Sequence, residues 1–446
     1  MRKSKRRIAF LATGVLAVAG IWVGTTALAE GPTYNPVRSW NEQALATVRT
    51  KSGSDAQAAR LYAMVNVAVF DAVNGIVTED KQDGARDHAL VPSTGAPRHG
   101  DVHAAASAAA HAVLAGEYPD LAASRYNPLL ESEMALLDAG HRTDDGATWG
   151  ASVGAQVRAA RATDGSTPNE TQAAGSGPGQ FRASWSGVQF RNLAPFGIAN
   201  PSVYLGDGPP FLDSLDYAGA YANVKIIGNA GLPDATKLDT FRYWSLGGGT
   251  SQPPGSWIQV ALSVTHEDPL ALQDEARLFA LVSMAMADTV GPTYMTKWTY
   301  RHWRPWTAIR EGSTDGNPLT EGDAAWNHRS GSSSTPPGGS APSSIGSSPE
   351  YWSGHSSFSA SAAAALAGFY GTDRVAFTLV TDSAPKDAAM QPIPRSYSSF
   401  SEAAAEAGRS REVGGIHFSF SNEEGLAAGR AIATEILGRK LLLRAR

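Results

Sequence analysis

The chain has 446 residues, 42% of them hydrophobic and 18% charged, no cysteine, and a formal net charge of −5. An acidic balance argues against nucleic acid as a general partner, and without cysteine stability must come from a core rather than from disulfides. The length is enough for one large domain or two. At the N-terminus Arg2, Lys3, Lys5, Arg6 and Arg7 precede an uncharged apolar stretch from Ile8 to Val23, and Ala27-Leu28-Ala29 has the small residues of a cleavage site. Residues 1–29 therefore read as an export signal. They hold five Lys and Arg and no acid, so the remaining 417 residues carry a net charge of −10. No second run of transmembrane length follows, and the expectation is a secreted protein with no stable membrane association after cleavage.

Helical periodicity dominates residues 30–446, read as a single helical catalytic domain. Residues 54–74 place Leu61, Met64, Val65, Ala68 and Ala72 at helical spacings, with Gly75 where a C-terminus favours a left-handed residue. Asp101 is placed to cap an alanine-rich run through Leu114, closed by Gly116. Residues 130–139 and 149–163 are shorter candidates. The stretch 269–288, opening with Pro269, is apolar on most sides and predicts a central buried helix. Ser356 to Phe369 predicts another, starting beside His355. Ser399-x-x-Glu402 and Ser421-x-x-Glu424 have capping-box spacing and would open two more. Segments 165–182, 244–256 and 329–350, rich in Gly, Ser, Pro and Thr, read as long loops. Few runs alternate with period two, so the fold class is all-α, a helical bundle with long irregular loops.

Three short polar motifs follow in order: Lys297-x6-Arg304-Pro305, Ser353-Gly354-His355 and Ser410-Arg411-x5-His417. Lys297, Arg304 and Arg411 offer three cations, Ser353 a hydroxyl, and Gly354 a backbone N–H with no Cβ beside it. Buried oxyanions need several such charge-assisted bonds to offset their desolvation. A helix starting at the Ser-Gly-His turn would add its N-terminal donors and dipole. His355 and His417 offer an acid-base group and a nucleophile or ligand. Together these residues suit phosphate or its isostere vanadate.

The motifs and their order resemble those of the vanadium-dependent haloperoxidases and the acid phosphatases that share their fold. Ala287-Asp288 before Lys297, the run Lys297-Trp298-Thr299-Tyr300-Arg301-His302-Trp303-Arg304-Pro305, and Ala58-Ala59-Arg60-Leu61-Tyr62-Ala63-Met64 extend the likeness. So do Pro209-Pro210-Phe211-Leu212-Asp213-Ser214 and Gly414-Gly415-Ile416-His417-Phe418. The resemblance implies an exported bacterial enzyme with vanadate bonded to His417 and held by Lys297, Arg304, Ser353, Gly354 and Arg411. His355 would then be the acid-base group, with hydrogen peroxide, a halide and an organic acceptor as partners. Members of the family usually have proline before Ser-Gly-His, where Trp352 stands here. Seven residues before His355 the fungal chloroperoxidase has an aromatic residue and the algal bromoperoxidases a histidine, both linked to halide preference; Ser348 stands there and supplies no chloride-selective feature, so bromide, the easier of the two to oxidise, is the expected halide. Two other readings use the same residues: a phosphatase acting through a phosphohistidine, and a non-catalytic oxyanion-binding protein. Asp288 resembles a partner of the site's cations but reads equally as a helix-end cap, and His302 reads as either pocket wall or aromatic packing.

Overall fold

The computed structural model describes residues 34–81, 85–330 and 346–442, so the signal expected over residues 1–29 and the middle of the serine-rich loop lie outside the described residues. Helix dominates these residues. Strands are confined to two short antiparallel pairs, Thr171–Gln172 with Trp185–Ser186 and Phe377–Leu379 with Arg395–Tyr397. The largest cluster of buried apolar side chains runs from Val37 to Leu441.

Two long helices lie at its centre. Helix α2 (Asp55–Glu79) follows α1 (Pro36–Lys51) and opens with a capping box between Ser54 and Gln57. It is apolar nearly all round because almost every residue in it faces protein. Gly75 does not end it. A Cβ there would lie 2.8 Å from the Trp149 ring, whose Nε1 donates to the Ala72 carbonyl at 3.0 Å, so the glycine is a packing position. The second central helix, α9 (Leu272–Tyr300), extends twelve residues beyond the predicted stretch. It passes through Pro292 and ends where Arg301 takes a left-handed conformation. That extension brings Lys297 onto its last turn.

The helices between and after these follow in order: α3 (Val102–Glu117), α4 (Asn127–Met134), α5 (His141–Ala160), α6 (Leu215–Ile227), α7 (Ala235–Tyr243), α8 (Gln252–Glu267), α10 (Pro305–Arg310), α11 (Gly354–Tyr370), α12 (Phe400–Val413) and α13 (Ser419–Arg439). Asp101 caps α3 as expected, accepting from His103 and Ala104 N–H, but Gly116 lies inside the helix and not beyond it. Helix α8 occupies part of the 244–256 segment read as loop. Pro253 and Pro254 fall in its first turn, where a missing N–H leaves no intrahelical bond unmade.

One packing device is built twice. Glycines of α5 sit on α3 carbonyls, with Gly146 over Asp101 and Gly150 over Ala105; a Cβ would fall 2.3 and 2.1 Å from those oxygens. In α13, Gly425 and Gly429 sit on the Ser353 and Ser357 carbonyls, where a Cβ would fall at 2.7 and 2.2 Å. Each central helix likewise carries a buried aspartate that takes three successive backbone N–H groups. Asp71 holds Ala89, Leu90 and Val91; Asp288 holds Phe196, Gly197 and Ile198. Asp288 is thus neither a helix cap nor a partner of the site cations: it lies mid-helix and pins a loop. Nine residues beyond it stands Lys297, while nine beyond Asp71 stands Asp80. Only the Asp288 arrangement has the cation an anion site needs.

Candidate active site

The three motifs converge because the ends of α9, α11 and α12 meet. Lys297 comes from the last turn of α9, and Arg304 is the residue before α10. Ser353 caps α11, its hydroxyl accepting from Ser356 N–H at 3.3 Å, so Gly354 and His355 lie in the first turn with N–H groups that have no intrahelical acceptor. Trp352, standing where the family has proline, is buried and donates through Nε1 to Thr293 Oγ1 at 2.9 Å. This ties the turn to α9 one helical turn before Lys297. Arg411 lies near the end of α12. Gly415, with φ +79, then makes a left-handed turn pressed against the Gly228 carbonyl, and His417 emerges just before α13.

Six of the seven candidate residues, Lys297, Arg304, Gly354, His355, Arg411 and His417, line one cavity of about 300 Å³. Ser353 lies just behind the wall, fully buried. A second cavity of about 520 Å³ adjoins the first, sharing Asp55, Ser348, His355 and Arg411 with it.

The cations are held but not neutralised. Lys297 Nζ donates to the carbonyls of Pro349 at 2.5 Å and Glu350 at 3.1 Å. Arg304 donates to Ser348 O (2.9 Å), Ile416 O (2.9 Å) and His417 Nε2 (2.8 Å). Arg411 donates to the Trp244 carbonyl at 2.6 Å, while its Nε is buried without a partner. The Trp244 carbonyl also meets one nitrogen of His355, and the other, Nε2, is buried and unpartnered. Burial drives Arg411 down to about 9, helped by the nearby Arg304, and drives Arg304 down to about 10 against the pull of Glu350. Lys297 is pushed well below its ordinary value by burial and then by Arg304. Burial, then the cations, push both His355 and His417 well below 6.5, so at neutral pH both rings are neutral. A bound anion would relieve this concentration of positive charge and give Arg411 Nε an acceptor, while His355 Nε2, which carries no hydrogen in the neutral ring, could accept from a hydroxyl on that anion.

Two carboxylates escaped the sequence reading. Glu350 is fully buried under His417: Oε1 lies 2.8 Å from Nδ1 and accepts from Phe418 N–H at 2.9 Å. It thereby serves the start of α13, and Ser421, expected to cap that helix, lies inside it with Oγ 3.2 Å from His417 Nδ1. Asp55, at the start of α2, is the one acid lining the first cavity among the described residues, with the Tyr294 hydroxyl donating to Oδ1 at 3.0 Å. Its place at a helix start was the only local signal. Ser399 does accept from Glu402 N–H as a cap, but Glu402 returns its bond to Ser398.

His302 is packing, not wall. Its ring sits among Tyr217, Phe418 and Phe420, and burial pushes it down to about 3. Because its folded value lies below the unfolded 6.5, the unfolded chain takes up the proton first on acidification. Stability is therefore lost as pH falls below about 6.5, at about 1.4 kcal/mol per pH unit for this one group. His302→Phe is expected to remove that slope, which denaturation midpoints measured over a pH series will check.

The fold and the cavity define a helical protein in which three cations, the first turn of α11 and two histidines face one cavity of a kind suited to an oxyanion. Among the described residues no three His, Cys, Asp or Glu are grouped as a cage for a metal cation. Residues 277–442 match the family described as the VCPO second helical-bundle domain. Vanadium chloroperoxidase from Curvularia inaequalis is 28% identical over 167 residues, 33% of this chain and 26% of that protein. The match thus spans about a quarter of that relative's length. Over the whole fold the chain is similar to the crystal structure described as the first bacterial vanadium-dependent iodoperoxidase, with TM-score 0.69 and 20% identity over 94% of this chain and 99% of that one. It is also similar to the holo-type bacterial vanadium-dependent chloroperoxidase, with TM-score 0.61 and 16% identity over 86% and 92% of the two chains. The chain thus has the fold of these vanadium-dependent haloperoxidases, and its residues 277–442 match their second helical-bundle domain.

Proposed function

We propose that the protein is an exported, vanadate-dependent haloperoxidase that oxidises halide with hydrogen peroxide, bromide more readily than chloride. The observation that carries this reading is the convergence of three buried cations and two neutral histidines on one cavity, where Arg411 Nε and His355 Nε2 are buried without partners. These donors and acceptors fit vanadate, which as an oxyanion needs cations around its oxygens and one nitrogen lone pair at its centre.

Lys297, Arg304 and Arg411, the Ser353 hydroxyl hydrogen and the Gly354 N–H would hold the oxygens, and His417 Nε2 would bond vanadium. Arg304, whose N–H now points at that nitrogen, must turn it to an oxygen instead. When bound, vanadate supplies a Lewis-acid centre that activates peroxide toward attack by halide. His355, neutral, lining the cavity and with Nε2 unpartnered, would take a proton from incoming peroxide and return it to the departing oxygen. The adjoining cavity gives peroxide, halide and an organic acceptor a route to His355 and Arg411. Ser348 places no aromatic ring beside Arg304; its carbonyl and hydroxyl are tied to that guanidinium at 2.9 and 3.3 Å.

The decisive experiment uses protein recovered from the culture medium, with an N-terminus expected at Glu30. Apo-protein is incubated with orthovanadate and assayed with peroxide and chloride, bromide or iodide, in parallel with phosphate-ester hydrolysis without vanadate. Vanadate-dependent halide oxidation, suppressed by excess phosphate through competition for the same cations, is the expected result. Robust ester hydrolysis with no halide oxidised at any vanadate level would make the enzyme a phosphatase, and vanadate binding with neither activity would make it a binding protein.

A further inference from the structure

We infer that Glu350 is a positioning residue: through its contact with His417 Nδ1 it fixes the tautomer and the orientation of that ring, so that the Nε2 lone pair faces the cavity. The inference rests on the reading of His417 as the residue that bonds the oxyanion's central atom. A guanidinium can only donate, so Arg304, 2.8 Å from His417 Nε2, makes that nitrogen an acceptor. In a neutral imidazole the hydrogen then stands on Nδ1, 2.8 Å from Glu350 Oε1.

Ser421 is the alternative partner, with Oγ at 3.2 Å from Nδ1. Its hydroxyl, however, is also within 3.3 Å of the Glu350 carbonyl, to which it can donate. The carboxylate is both the nearer group and the one that can only accept when ionised. It is also held rigidly. The backbone N–H of Glu350 donates to the His302 carbonyl at 2.9 Å, its own carbonyl accepts from Lys297 Nζ at 3.1 Å, and Oε1 accepts from Phe418 N–H at 2.9 Å. Glu350 thus connects the lysine on α9 to the histidine before α13. A carboxylate behind a ligating imidazole raises the ring's basicity as well as setting its direction.

The test separates the acceptor from the charge. Glu350→Gln and Glu350→Ala lose the same negative charge, but glutamine keeps an oxygen that can accept from Nδ1–H. Vanadate and inorganic phosphate are titrated separately into the wild type, both Glu350 variants and Ser421→Ala. Alanine at position 350 is expected to weaken vanadate binding about 10–100-fold, with glutamine recovering most of that loss. Phosphate, held by the cations without a bond to His417, is expected to bind the two Glu350 variants alike. Equal vanadate affinity in the two variants, or a loss confined to Ser421→Ala, overturns the inference.

Histidine-labelled wild type keeps the question decidable if the alanine variant does not fold. Nitrogen NMR of the ligand-free protein is expected to place the His417 hydrogen on Nδ1, and a hydrogen on Nε2 overturns the assignment. Absence of vanadate binding by the wild type would sink the haloperoxidase reading, while the NMR result would still judge Glu350.

Discussion

Replacing His417 with alanine is expected to reduce vanadate-dependent halide oxidation to background while leaving measurable affinity for inorganic phosphate. The imidazole is buried and neutral, lines the cavity, and has on Nε2 the lone pair that Arg304 now meets, so it is the nitrogen that would bond the oxyanion's centre once Arg304 turns aside. Its removal takes away that bond but leaves Lys297, Arg304 and Arg411 in place. Arg411→Ala differs in kind. It deletes one charge-assisted contact, worth about 1.5–3 kcal/mol, or roughly tenfold to a hundredfold in affinity for vanadate and phosphate alike. Parallel titrations of the two variants with both anions, together with halide-oxidation rates, will distinguish these outcomes. Unchanged vanadate affinity in His417→Ala would mean that another residue bonds the metal.

Gly429→Val is expected to destabilise the protein at the upper end of about 1–3 kcal/mol or beyond, and to weaken oxyanion binding with it. A Cβ at Gly429 would stand 2.2 Å from the Ser357 carbonyl and 2.9 Å from Ser361 N. Both are backbone atoms of α11 and cannot swing aside as a flexible side chain would. The helices must separate, and α11 carries Gly354 and His355 in its first turn. Gly438, in the same helix α13, is the control: nothing lies within 4 Å of a Cβ there. Gly438→Ala is expected to be neutral or stabilising by up to about 1 kcal/mol through helix propensity. Chemical denaturation of both variants, with phosphate titration of the folded fraction, measures the contrast.

The site cations and histidines were legible in the sequence because each motif is local. A lysine seven residues before an arginine, or a histidine six after one, needs only a helix end and a turn to bring both to the same point, and Gly415 marks the turn. Helical periodicity likewise disclosed the central helices. Their ends were harder to read, because the last turns are decided by distant partners. Gly75 stays helical against Trp149, and the Pro- and Gly-rich segment around Gln252 becomes helix. Glu350 and Asp55 had no motif to announce them. Glu350 closes a serine-rich loop, and only the approach of His417, sixty-seven positions away, makes it a partner of the site. Asp55 reads locally as a residue at a helix start, and only the packing of α2 beside α9 brings it to the anion cavity. Ser421 has the spacing of a helix cap, yet Glu350 reaches the preceding N–H from across the fold and the helix begins earlier. The sequence by itself determined which groups could bind an oxyanion, since charge and hydrogen-bonding capacity belong to residue type and short-range spacing. The tertiary structure decided which buried carboxylates face those groups, because burial and electrostatic coupling depend on distances that chain spacing does not encode.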